Sequence, residues 1–120
     1  MDPRESRSAR LHRSLEDLMR QAPEIAGALI VSNDGFLVAS TTDEGESVGP
    51  IAANLFDLGN KATQRLSQGN LKRIIVDAEE GTLAAVPAGP HAVLISIVRK
   101  QQAKLGVVVE LMVRQARIVE

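Results

Sequence analysis

The chain has 120 residues, 44% of them hydrophobic, and a formal charge of -1, which suits one globular domain and excludes a disordered chain. Two Phe, with no Tyr or Trp, leave almost no stacking platform for single-stranded nucleic acid, and the near-neutral charge gives no general attraction to nucleic acid or acidic membranes. Without Cys there is no disulfide framework, thiolate metal site or thiol nucleophile.

Taken in order, Met1 to Arg10 is polar and reads as a flexible lead-in to a single domain over residues 11–120. Arg4, Arg7, Arg10 and Arg13 lie three apart and would line one helix face if helix extends that far, either as a solvated face or as a contact for an anionic partner. From about Arg10, Leu11, Leu15, Leu18, Met19 and Ala22 follow helical spacing, and Pro23 ends that helix. One apolar stripe needs one surface, so this helix packs on a sheet.

Residues 25–40 read as a β-hairpin: two apolar runs, Ile25 to Val31 and Phe36 to Ser40, flank a polar segment ending in Asp34-Gly35. Asp and Gly tolerate the positive φ that tight turns demand. The first run does not alternate, as expected of a strand buried on both faces.

Thr42 to Ser47 is a polar loop with Ser47 as the expected N-cap and Pro50 in the first turn of a helix over about Val48 to Leu66. This helix carries two neighbouring stripes. One holds Ile51, Leu55, Leu58, Ala62 and Leu66; the other holds Val48, Ala52, Phe56, Gly59 and Thr63. A helix resting on a sheet buries roughly one 100° arc, so one stripe is left for a partner. The expectation is that Ile51, Leu55, Leu58 and Ala62 pack inward, and that Val48, Ala52, Phe56, Asn60 and Thr63 meet a partner; the reverse assignment preserves the same division of labour. Gly59 is expected to mark close approach of another backbone.

Gly69-Asn70 ends the helix. Ile74-Ile75-Val76, Thr82 to Val86 and His91 to Val98 then read as three strands joined by turns at Glu79-Glu80-Gly81 and Gly89-Pro90, an antiparallel meander whose last strand is central. In Gln101 to Glu120, Leu105, Val108, Val109, Met112 and Ala116 keep helical spacing, with Gly106 placed for close approach to the sheet. The order is α-β-β-α-β-β-β-α.

The chain shows no constellation for catalysis. There is no glycine-rich phosphate loop. His12 and His91 stand apart from any second ligand, which leaves no metal site and no cofactor to expect. Asp34 sits where its side chain favours a turn, and the acidic residues Asp43, Glu44 and Glu46 read as a solvated loop. No apolar run approaches the ~20 residues that span a bilayer, and the N-terminus lacks a signal peptide's apolar core, so a cytoplasmic protein without direct membrane insertion is expected.

These elements, with Leu15-Glu-Asp-Leu18 closing on Pro23, Ile25 through Ser40, Gly81 before Thr82-Leu83, Gly89 before the last strand and Lys104-Leu105-Gly106-Val107, resemble the roadblock / dynein light chain family. The likeness covers about Leu11 to Val119 and is greatest to the short prokaryotic members of the mutual-gliding protein B and conservon types. It implies an α+β, profilin/roadblock-like fold: a five-stranded antiparallel sheet in the order 2-1-5-4-3, with the first and third helices on one face and the second on the other. It also implies a homodimer formed by Ile74, Ile75 and Val76 of the third strand, with the second helices (Ala52, Phe56, Gly59) side by side. Such a dimer would be a non-enzymatic platform for a small Ras-like GTPase or a scaffold. The alternative is a small-ligand sensor with a pocket against the sheet, for which Ser96 is the only inward polar candidate, and a backbone-bonded core serine is the expectation there.

Overall fold

A computed structural model describes residues 6–99 and 105–119; Arg4, Gln101 to Lys104 and Glu120 lie outside the described residues. The elements are α1 (Arg7–Gln21), β1 (Ile25–Ser32), β2 (Leu37–Ser40), α2 (Gly45–Arg65), β3 (Ile74–Asp77), β4 (Gly81–Pro87), β5 (Ala92–Arg99) and α3 (Leu105–Val119). The strands form one antiparallel sheet in the order β2-β1-β5-β4-β3.

α1 starts at Arg7, earlier than its apolar spacing marks, because the Ser6 hydroxyl accepts from the Ala9 N–H at 3.0 Å and caps the helix. Leu11, Leu15 and Leu18 are buried on its inner face. The β1–β2 turn forms as Asp34-Gly35 demands: Gly35 has φ +91° and its N–H donates to the Ser32 carbonyl at 2.9 Å. The Ser32 hydroxyl accepts from the Phe36 N–H at 3.1 Å, which occupies that serine in the turn. β1 lies between β2 and β5 and is buried along nearly its whole length, which accounts for its unbroken apolar run.

Two packed layers cover the sheet. On one face Leu11, Leu15 and Leu18 of α1 and Val108, Val109 and Met112 of α3 close over Ala28, Ile30, Ala84 and Leu94. On the other, Ala52 and Ala53 of α2 meet Leu29, Val31, Ala85, Val93 and Ile95. The alternation of β1 and β5 side chains between these clusters follows from the two-residue period of a strand.

Two expectations about helix starts and close contacts change. Ser47 is not the cap of α2: the helix begins at Gly45 with Glu44 at the N-cap, which makes no side-chain cap bond, and Pro50 therefore lies beyond the first turn. Gly106 does not bring α3 onto the sheet, since it is exposed and a Cβ there would meet nothing within 4 Å. The close approach belongs to α2 instead. A Cβ on Gly45 would fall 2.6 Å from Ser40 Oγ, and one on Gly49 would fall 2.8 Å from Val31 Cγ1.

Candidate interaction surface

The surface that the sequence marks is α2 with the β3 edge. α2 buries only small residues, Gly45, Gly49, Ala52 and Ala53, so its backbone lies close over β1. Phe56 is half-buried against the same cluster. The stripe that sequence spacing assigned to a partner thus faces the protomer's own sheet, and the stripe assigned inward is exposed: Ile51 at 69%, Leu55 at 39% and Leu58 at 55%. Ala62 and Leu66 are exposed with them. Ala52 is therefore buried in its own protomer and Phe56 half-buried, while Ile51, Leu55 and Leu58 are exposed apolar side chains of the helix. The reason is size: glycine and alanine let the helix axis approach the sheet, whereas branched side chains hold it off.

Gly59 also has a different role from the one expected. A Cβ there would fall 3.0 Å from Leu71 Cδ2 and 3.1 Å from Ile74 Cδ1, so the close neighbours are the loop and strand of its own chain. Asn60 is likewise occupied. Its Oδ1 accepts from the Leu71 N–H at 2.8 Å, and its carbonyl accepts from the Thr63 hydroxyl at 3.0 Å. Val48 is half-buried.

β3 is an edge strand, paired only with β4. Ile74 is half-buried, and Ile75 and Val76 are exposed at 40% and 39%. Val76 pairs with Leu83, which packs on the α2-side cluster, so Ile74 and Val76 share a face with α2 while Ile75 points to the opposite one. The Gly59 turn of α2 reaches Ile74 of β3, whereas Gly49 and Gly45 lie over Val31 of β1 and Ser40 of β2, so α2 runs across the sheet toward the β3 edge. Ile51, Leu55 and Leu58 of α2 and Val76 of the unpaired strand are thus exposed apolar groups on one side of the sheet.

The polar candidates carry no chemistry that the geometry gathers. Asp34 is exposed in its turn. The Ser40 hydroxyl donates to the Thr42 carbonyl at 2.7 Å and accepts from the Thr42 N–H at 3.0 Å. His12 lies 3.7 Å from Glu16 on exposed α1, and His91 is exposed, with its carbonyl accepting from the Asn33 N–H at 3.0 Å. Among the described residues no group of three or more His, Asp or Glu could hold a metal ion, and no helix is long and apolar enough to cross a membrane. Ser96 is fully buried, but its hydroxyl has no hydrogen-bond partner, contrary to the expected backbone bond. It lines none of the larger surface clefts.

A search of curated proteins finds no match. Among solved structures, the chain is similar to "MglB with tetrameric arrangement" (20% identity, 96% of this chain and 88% of that one, TM-score 0.85). It is also similar to the gliding protein MglB from Thermus thermophilus (19%, 96% and 89%, TM-score 0.83) and to a Roadblock/LC7 domain from Streptomyces avermitilis (20%, 90% and 92%, TM-score 0.82). Profilin II of Acanthamoeba castellanii shares the fold more distantly (16%, 90% and 94%, TM-score 0.62). The family model for the Roadblock/LC7 domain matches residues 12–97; with the sheet order and the helix placement both in agreement, this chain belongs to the Roadblock/LC7 domain family.

Proposed function

We propose that this protein is a non-enzymatic, homodimeric platform in the cytoplasm that binds and regulates a small Ras-like GTPase, or holds together a signalling or motility complex. The observation that carries the reading is the exposed apolar surface of α2 together with the unpaired edge of β3. Ile51, Leu55 and Leu58 stand exposed on α2 and β3 has an unpaired edge, and a monomer that left both uncovered would invite association. Two copies joined β3 to β3 satisfy the strand's free backbone groups and close at two subunits, because the contact is isologous. The two α2 stripes then lie near the two-fold axis as one enlarged surface for a third protein. Membership of the Roadblock/LC7 family and the likeness to MglB support this assignment.

Sedimentation of the pure protein at micromolar concentration should report a dimer, and Leu55→Asp should leave it a dimer, because the α2 stripe is the surface offered to a third protein and the seam is β3. Circular dichroism should stay unchanged, since Leu55 lies outside the protomer's core. A wild-type monomer that stays soluble refutes the dimer. Capture on immobilised protein from the native lysate should elute a Ras-like GTPase, and its loss with Leu55→Asp would tie binding to the α2 stripe.

A further inference from the structure

The free edge of β3 carries a charge pattern of its own. From Lys72 to Asp77 the chain reads Lys-Arg-Ile-Ile-Val-Asp: basic at one end, apolar in the middle, acidic at the other, with Glu79-Glu80 extending the acidic end. Arg73, Ile75 and Asp77 are all exposed. Which backbone groups the edge offers follows from the β4 side. The Ala78 N–H donates to the Gly81 carbonyl at 2.8 Å, in line with the pairs Asp77–Thr82, Val76–Leu83, Ile75–Ala84 and Ile74–Ala85. Hydrogen-bonded and non-hydrogen-bonded pairs alternate along an antiparallel ladder, so Val76 and Ile74 direct their N–H and C=O groups to β4. Those of Ile75 and Asp77 point to the open edge. Arg73 lies just before the strand, and continuing the alternation places it on the face of Ile75 and Asp77, away from α2.

We infer that this edge is a self-selecting seam: two copies pair with Ile75 opposite Ile75 on the two-fold axis, and with Arg73 opposite Asp77 of the second copy on each side of it. This pairing rests on the dimer proposed above, and gives it a register and a choice of partner. An added strand sets outward-pointing residues opposite outward-pointing ones, which excludes a slip of one residue. A slip of two residues puts Asp77 opposite Leu71 or Ile75 of the second copy, where no cation stands. Centring on Ile75 also sets Ile74 opposite Val76 on the α2 face. Cross-strand partners have Cβ atoms ~4.5–5.5 Å apart, within reach of an arginine–carboxylate contact. The other charges of the segment agree in sign: Lys72 stands opposite Ala78, and Glu79 and Glu80 follow at the acidic end. The α2 cations Lys61 and Arg65 belong to the other face, and Lys61 is paired with Asp57 at 3.0 Å. An exposed pair is individually weak, but the two-fold axis counts it twice. A related domain without this spacing would leave Arg73 or Asp77 facing an apolar or like-charged residue, so the pattern favours a second copy of this chain.

The test uses the full chain as wild type, Arg73→Asp and Asp77→Arg, in sedimentation equilibrium near the wild-type Kd, with circular dichroism as the check on folding. Either variant alone sets like charges opposite each other at both pairs, and should dimerise roughly tenfold more weakly. Mixed in equal amounts, the two variants restore opposite charges at both pairs. The mixture should recover the wild-type affinity, and native mass spectrometry should find mainly the mixed dimer, a rescue that a merely structural defect would not give. A wild-type monomer overturns the dimer and this register with it. A wild-type dimer whose variants associate as tightly as wild type, or whose mixture stays as weak as its parts, overturns the register and leaves the dimer standing.

Discussion

Removing one oxygen from the centre of this protein should make it more stable. Ser96 lies on β5, the middle strand of the sheet, between Ala28 on β1 and Ala84 on β4. It is 0% exposed and its hydroxyl has no partner. An unsatisfied buried hydroxyl costs ~1–3 kcal/mol of desolvation, and Ser96→Ala removes that cost while giving up the contacts of a single atom. The neighbouring alanines show that the site accepts a methyl group. A net gain of about 1 kcal/mol is expected. Unfolding entropy of ~2.1 cal/mol/K per residue gives ~0.25 kcal/mol/K for this chain, so Tm should rise by about 4 °C. The assay is thermal unfolding at one fixed protein concentration, because association would also shift Tm. An unchanged or lowered Tm refutes the reasoning and means that the hydroxyl is hydrogen-bonded in solution.

Two further substitutions probe the backbone. Gly49→Ala should destabilise by ~1–2 kcal/mol in denaturant titration despite better helix propensity, because its Cβ would meet Val31 Cγ1 at 2.8 Å. Gly106→Ala, with open space around it, should stabilise by up to ~1 kcal/mol; if both changes act alike, close packing of α2 is not what selects Gly49. Gly35→Val should cost ~1–2 kcal/mol, since φ is +91° and a Cβ would also press on Pro50 Cα at 3.3 Å. An unaltered denaturant midpoint would contradict the strained turn.

The parts of the fold legible in the sequence are those set by local chemistry. Asp34-Gly35 dictates a turn whatever surrounds it, and unbroken apolar runs mark β1 and β5 as central. The orientation of α2 was not legible from periodicity, because two adjacent apolar stripes have the same period and differ only in phase. The usable signal was side-chain volume. Gly45, Gly49, Ala52 and Ala53 mark the face that touches the sheet, and Ile51, Leu55 and Leu58 the face that does not. The start of α1 at Ser6 was not legible, because the polar run after it carries no apolar spacing to announce a helix. Ser96 was visible as an inward polar residue, but its missing partner depends on atoms brought together from three strands.

The sheet order also sets a sequence of events for a chain leaving the ribosome. The β1–β2 hairpin emerges early and can close locally, but β1 has its second edge satisfied only by β5, where Ile30 meets Leu94. Until β5 arrives, the apolar run Ile25 to Val31 keeps an open strand edge, the condition under which nascent chains associate wrongly. The β3–β4–β5 meander closes by short turns, so the slow step in folding should be the joining of two preformed halves along β1 and β5, where loop closure is costliest.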